Sequence, residues 1–432
     1  MKYLIGIVLL SLFTEKMQAQ EPQWSADSIS LYFKEVKKTT FDHIYLWGKD
    51  IYGPVILVDT ATRQVYANQQ DSMRILTKNG DIYTGILPPN IGFSNTSLEW
   101  SGTTWAMVTL PLPENKYDRT DLIVHELFHS AQPSLGFNIP GTDNNHLDRK
   151  DGRVYLRLEL AALEKALKAR TLRRAEEHLQ NALVFRKYRH LIYRGSETTE
   201  NRLELLEGLA TYTGQIMSGR SRAELEQYLI QRLESFKKSP TFVRSFAYET
   251  VPVYGFFLSR KDDDWNRDIT IDTDLTEYFS DAFGLSMRIV LHSYVNQVAE
   301  EYDGEKITRE ETERGIKNEL RLEDFEEKFF DLPHLEIALE KMNLAFDPKN
   351  PIPLDDDQGT IYPTARIADN WGILTVTKGG VLLGTTWKWA IVSEPLQIDG
   401  RTVSGDGWIL ELSTGYSVEK DKRGNYSIVK EK

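Results

Sequence analysis

The chain has 432 residues, 41% of them hydrophobic, which is ample for packed interiors and too long for one simple core, so two or three domains are expected. Its formal net charge of −12, with the acid excess spread along the chain, argues against a broad positive surface that would hold nucleic acid. Cysteine is absent, which excludes disulfides, thiolate metal sites and thiol nucleophiles and leaves His, Asp and Glu as metal ligands.

In chain order, residues 1–19 place Lys2 ahead of an apolar run from Tyr3 to Phe13 and a polar stretch ending at Ala19, the layout of a secretory signal peptide. An apolar run of about a dozen residues falls short of the roughly 20 that span a bilayer, so an exported protein, secreted or periplasmic and without stable membrane insertion, is expected. From about Ile44 to Pro113 the pattern is strand-like: PVILVDTATRQVYANQ reads as two short strands around a polar turn, and TTWAMVTLPLP as a third, stopped by prolines. From Asp118 to about Phe346 apolar residues recur at three- and four-residue steps, as in YLRLELAALEKALKA and ENRLELLEGLATYTGQIM, so this region is read as helical. Its charge-dense part, Glu300 to Lys328, mixes both signs and is read as solvated helix faces. FDPKNPIPLDDDQG marks an exposed linker over 347–359. Residues 360–432 read as short strands between Gly, Asp and Ser turns, a β-sandwich or barrel whose Trp371, Trp387, Trp389 and Trp408 form a core in preference to a binding face. The fold class is α+β: a β-rich lobe, a mainly helical region and an all-β accessory domain.

The stretch DRTDLIVHELFHSAQP, Asp118 to Pro133, carries His125, Glu126 and His129 in the order H-E-x-x-H. Asp118 or Thr120 caps the expected helix, and histidines four apart then project from one face, close enough to share an ion. Zinc accepts neutral imidazole nitrogens and in hydrolases keeps an open position for water, while Glu126 beside them can take that water's proton. The plainer alternative is an amphipathic helix with two packed histidines, and a third ligand separates the two. Two glutamates offer themselves. Glu207 is followed by Gly208, which leaves room for the metal helix to approach, and by Thr211, one turn on and able to support a ligand. Glu159 sits among apolar neighbours and requires a partner or a metal if buried.

Together with the later LLEGLATY, this H-E-x-x-H resembles the gluzincin class of zinc metallopeptidases, whose third ligand is the glutamate of an N-E-G-F-A-x-Y-like segment. The resemblance implies His125, His129 and Glu207 as ligands of Zn2+, Glu126 as general base, and a peptide or protein substrate. Leu206 stands where that segment has asparagine, and the stretch between the motifs is longer than in the aminopeptidase branch. HELFHSAQ, GRVYLRLELAAL, EGLATYTG, SFAYETVPVYG and SGDGWILEL are also similar to segments of a group of exported bacterial proteins. The class further implies a substrate-aligning edge strand ahead of the metal helix, assigned to TTWAMVTLP with Trp105, Met107 and Thr109 on one face. It also implies an oxyanion donor, for which SFAYETVPVYG offers Tyr248 and Tyr254.

His146 lies in a polar loop and reads as a surface residue, while His43, His178, His190, His292 and His334 lack partners at metal spacing and read as structural. The expectation is an exported zinc-dependent hydrolase, a peptidase using zinc-activated water. Its rival is a peptide-, protein- or glycan-binding protein on a peptidase scaffold, with the metal structural.

Overall fold

The computed structural model describes residues 24–285, 291–347, 351–354 and 358–431. The expected signal peptide, 1–19, and part of the expected linker lie outside the described residues. The first element is a helix that the sequence reading does not anticipate, α1 (Ala26–Asp42), capped by the Ser25 side chain, which accepts from the Ser28 amide at 3.2 Å. Its buried Ile29, Phe33, Val36 and Thr40 fall at three- and four-residue steps, so it lays one apolar face on the core.

A mixed sheet follows. Its strands are β1 (Val55–Asp59), β2 (Gln64–Ala67), β3 (Thr77–Asn79), β4 (Ile82–Ile86), β5 (Thr96–Trp100) and β6 (Thr103–Leu110), in the order β3-β4-β2-β1-β6-β5. Only β1 and β6 pair in parallel; the other neighbours are antiparallel. Side chains alternate across the two central strands. Val55, Leu57, Ala106 and Val108 join the core shared with the helices, while Ile56, Val58, Trp105 and Met107 pack on the far face with Leu87, Leu98 and Trp100. Each fully buried aliphatic side chain contributes about 1.5–3 kcal/mol, so both faces hold the sheet in register. The strand expected at the edge, TTWAMVTLP, is therefore interior: β6 lies between β1 and β5, and β5 forms the edge. The apolar run of β6 is explained by burial on both faces rather than by service as an edge.

The helices are α2 (Lys116–Ala131), α3 (Lys150–Leu167), α4 (Leu172–Ile192), α5 (Ser196–Leu203), α6 (Leu209–Met217), α7 (Arg222–Phe236) and α8 (Ala247–Leu258), followed by α9 (Leu275–Ala282), α10 (His292–Ala299) and α11 (Gly304–Glu326). Asn115, not Asp118 or Thr120, caps α2, accepting from the Tyr117 amide at 2.8 Å. Asp118 lies inside the first turn and pairs with Arg220. α3 and α4 are joined by a short turn and fold back on each other, which returns the chain so that α6 packs against α2. That approach depends on Gly214, where a Cβ would stand 2.4 Å from Asp121 Oδ1 and 2.6 Å from its carbonyl oxygen. Gly208 has a different use: a Cβ there would stand 2.4 Å from Val251 of α8, so it admits α8 rather than α2.

The charge-dense α11 is solvated along most of its length, but Glu311 is buried and receives Arg153 and Arg157, each at 2.7 Å, which ties the helix to α3. The helical region ends earlier than the sequence reading puts it. β7 (His334–Ala338) and β8 (Asn343–Phe346) are strands: β7 pairs with Trp389–Ser393 in a seven-stranded sheet and β8 with Ala365–Asp369 in a six-stranded one. Pro333 stops the preceding helical turn, and Leu335 and Ile337 alternate with exposed Glu336 and Ala338 at the period of two that a strand buries on one face. Between the two sheets lies a core containing Leu335, Ile367, Leu374, Val392 and Leu410, a β-sandwich. Trp371 and Trp408 are inside it, Trp389 is half-buried against a second apolar cluster beside Phe329, and Trp387 is half-buried with Arg244 5.6 Å from its ring centre. None of the four forms an exposed face.

Candidate metal centre

α2 is buried along Ile123–Phe128, so the helix that carries the motif is held by core packing on one side and turns its histidines toward a cleft on the other. His125 Nε2 and His129 Nε2 are 3.0 Å apart, as four-residue spacing on one helix face requires. Glu207 comes to them from the segment between α5 and α6, where Glu204–Gly208 forms a single π-helical turn. Such a widened turn re-aims a side chain within an otherwise continuous helix, and it is common at functional sites. Glu207 Oε2 stands 3.4 Å from His125 Nε2 and 3.2 Å from His129 Nε2. These three are the one group of at least three His, Asp or Glu side chains among the described residues that could hold a metal ion.

The other ring nitrogens are also engaged. His129 Nδ1 lies 2.8 Å from Gln132 Oε1, and His125 Nδ1 lies 3.4 Å from Thr211 Oγ1. Thr211 donates its hydroxyl to the Glu207 carbonyl at 2.9 Å, so it is left to accept from the imidazole. An acceptor at each Nδ1 favours the tautomer with a bare Nε2, the form that binds a cation. The donor set, two imidazoles and a carboxylate with atoms converging on one point, could hold a divalent metal ion.

The electrostatics follow from burial around one carboxylate. Burial disfavours charge on His129, but the Glu207 carboxylate outweighs it and raises the group to about 9. Burial lowers His125, and Glu207 offsets this only in part. Although burial pushes Glu207 up, the two histidines hold its carboxyl well below the ordinary range. Glu126 is 4% exposed, and its Oε2 has no hydrogen-bond partner within the protein. Burial, opposed by His129 and aided by Glu207, pushes its carboxyl up to about 8. Tyr248, at the start of α8, donates its hydroxyl to Glu207 Oε2 at 2.6 Å and stacks on His125, with ring centres 5.6 Å apart and planes at 14°.

A cleft of about 590 Å3 opens over these groups. Asn95, Thr96 and Ser97, at the start of the β5 edge, line one wall, and Pro133, Ile139 and Leu206 line another. A larger cavity of about 830 Å3, beside Tyr155, Asn296 and Arg309, holds no cluster of ligand type among the described residues. The site is therefore placed by its chemistry rather than by size.

Two of the candidates from the sequence lie elsewhere. Glu159 is wholly buried between Arg186 and Arg189, which donate to it at 2.8 and 2.9 Å, and the Tyr254 hydroxyl donates to it at 3.0 Å. The burial of Glu159 is thus met by two guanidinium groups, and Tyr254 serves that pairing rather than the cleft. The same arginines reach Glu200 and Glu204: Arg186 grips Glu204 through both terminal nitrogens at 2.9 and 2.7 Å, and Arg189 grips Glu200 at 2.8 and 2.6 Å. Because Glu204 opens the π turn that ends beyond Glu207, this buried network anchors the third candidate ligand from behind. His146 is not a free surface residue; it bonds Glu200 at 2.7 Å, and His190 bonds the same carboxylate at 3.0 Å.

Three features escape the sequence reading. Gln132 lies three residues beyond His129, a spacing that places both on one helix face and could have been read from the motif. Arg186 and Arg189 share the same three-residue spacing on the face of α4 that also carries the buried Leu179, Ala182 and Leu183, a signal for buried cations seeking acids. The role of β5 as the edge carries no local signal, since strand order depends on pairing. No family model matches the chain, and neither a curated protein nor a solved structure matches it.

Proposed function

We propose that this protein is an exported zinc-dependent metallohydrolase of gluzincin type, a peptidase that cleaves amide bonds. The observation that carries this reading is Glu126. A structural metal site has no use for a buried carboxylate with an unpartnered oxygen beside its ligands, whereas a hydrolytic site needs a base there. A zinc ion held by His125, His129 and Glu207 supplies Lewis acidity, polarising a carbonyl and making water a better nucleophile near neutral pH.

The chain's own groups do the rest. Glu126 accepts the proton of the attacking water and returns it to the leaving amine. Its raised pKa belongs to the metal-free site, and a neighbouring cation favours the ionised form a base requires. The Tyr248 hydroxyl, already directed at the ligand cluster, donates to the oxygen on which charge develops. The β5 edge presents backbone groups along which an extended peptide can pair, with Asn95, Thr96 and Ser97 nearest the cleft. The sandwich contributes no residue to the ligand cluster.

The test is metal analysis of the purified protein together with a mass-spectrometric screen of diverse peptides. Close to one zinc per chain and chelator-sensitive cleavage are expected. Tightly held zinc with no cleavage of any peptide would leave the binding-protein reading in its place.

A further inference from the structure

We infer that Gln132 is the positioning residue that holds the histidine helix and the Glu207 turn at the separation a shared cation needs. The inference rests on the metal site proposed above. Gln132 ends α2 and is 3% exposed, and each of its polar atoms has a partner. Its amide nitrogen donates to the Phe128 carbonyl, and its carbonyl accepts from the Phe137 amide at 2.9 Å. Its side-chain oxygen accepts from His129 Nδ1 at 2.8 Å. Its side-chain nitrogen donates to the carbonyls of Leu205 at 3.3 Å and Leu206 at 2.8 Å.

Those two carbonyls belong to the π turn, immediately before Glu207. One planar amide therefore touches both sides of the site: it orients the ring of one ligand and clamps the backbone that carries another. The chemistry selects glutamine. The His129 side requires an acceptor and the carbonyl side requires donors, and a carboxamide offers both on one rigid plane. A glutamate would keep the acceptor but face two carbonyl oxygens without a donor. A methionine of similar length would supply neither. The arginine network grips the same turn at Glu204, so the turn is anchored at its start by charge and near its end by Gln132. Neither contact is visible as a pair in the sequence, because 74 positions separate Gln132 from Leu206.

The experiment compares wild type, Gln132→Met and Gln132→Glu as metal-free full chains. Zn2+ affinity is measured with a competing chelator, and visible absorption is recorded after loading Co2+. Loss of a partner that orients a metal ligand lowers affinity by roughly 10–100-fold, and that loss is expected for Gln132→Met, with a changed Co2+ spectrum. Gln132→Glu should recover part of the affinity and a spectrum close to wild type, because His129 keeps its acceptor. Thermal melting of the metal-free proteins runs alongside, and Gln132→Ala replaces the methionine variant if that one does not fold. Wild-type affinity and spectrum in Gln132→Met overturn the inference and leave the metal site standing. So do equal losses in both variants with equally altered spectra, since the side chain would then serve only the turn. Failure of the wild type to take up either ion removes the metal reading itself and this inference with it.

Discussion

Raising the pH from 7 to 9 should strengthen zinc binding steeply, and the expected slope follows from the groups around Glu207. In the metal-free site His129 is raised to about 9, so at pH 7 it carries a proton that zinc must displace. Each displaced proton makes affinity rise tenfold per pH unit, so His129 alone weakens binding at pH 7 by about 100-fold relative to its limit. Glu126, pushed up to about 8, holds a second proton at pH 7 that a neighbouring cation drives off. The logarithm of affinity should therefore climb with a slope approaching two below pH 8 and near one between 8 and 9. The assay is a chelator-buffered zinc titration across this range, with calorimetry in two buffers of different ionisation enthalpy to count released protons. Glu126→Gln should reduce the slope below pH 8 toward one. An affinity that stays flat from pH 7 to 9, with no proton released, would refute the argument. Stability of the metal-free protein provides a second readout. Both groups are raised above their unfolded values, so the stability they contribute is present at low pH and is lost as pH rises through about 8 and 9. Glu207 is depressed, so its contribution is present above the ordinary carboxylate range and is lost only in strong acid. Zinc should thus raise the melting temperature more at pH 9 than at pH 7.

Five substitutions and two truncations extend the tests. Glu126→Gln should retain zinc while cutting turnover by roughly 10²–10⁴-fold, since an amide cannot accept the water's proton; unchanged kcat on a cleaved peptide would remove it as base. Glu207→Gln should lower zinc affinity with little change in fold, whereas Glu159→Gln should leave the ligands in place and lower stability by about 3–5 kcal/mol, because it strips a buried partner from two arginines; denaturant melts and zinc titrations of both variants separate these effects. Tyr248→Phe should reduce kcat by about 10²-fold with little change in KM, and Tyr254→Phe should cost about 1 kcal/mol of stability and no kcat; the reverse pattern would exchange their roles. Ending the chain at Asp357 should cause aggregation by light scattering, because β7 and β8 lose the strands that cover Leu335 and Ile337, while ending it at Glu326 should keep zinc; a soluble, zinc-binding 1–357 fragment would contradict the sandwich boundary.

Most strands and helices were legible where periodicity is strong. VILVD and TTWAMVTL alternate or run apolar between turn residues, and LRLELAALEKAL repeats at helical steps, so their types follow from which faces can be buried. HLEIA reads as helix from the sequence because a short amphipathic stretch supports either period until pairing decides, and here the partner Trp389–Ser393 comes from more than fifty residues away. The edge position of β5 was likewise invisible, because a strand's own residues do not state who pairs with it.

At the candidate site the sequence alone determined the facing of His125 and His129 and the place of Glu126, since helical geometry sets both within one turn. It left both Glu207, with Gly208 and Thr211 beside it, and Glu159, among apolar neighbours, open on residue chemistry. Tertiary structure separated them: the α3–α4 hairpin returns the chain against α2, a π turn aims Glu207 at the histidines, and two buried arginines take Glu159. Tyr248 and Tyr254 are divided in the same way, six residues apart on one helix, one hydroxyl on Glu207 and the other on Glu159. The physical reason is range. Periodicity reports contacts within a turn or a pleat, while a ligand cluster and the ion pairs behind it are made between segments whose approach depends on packing the whole core.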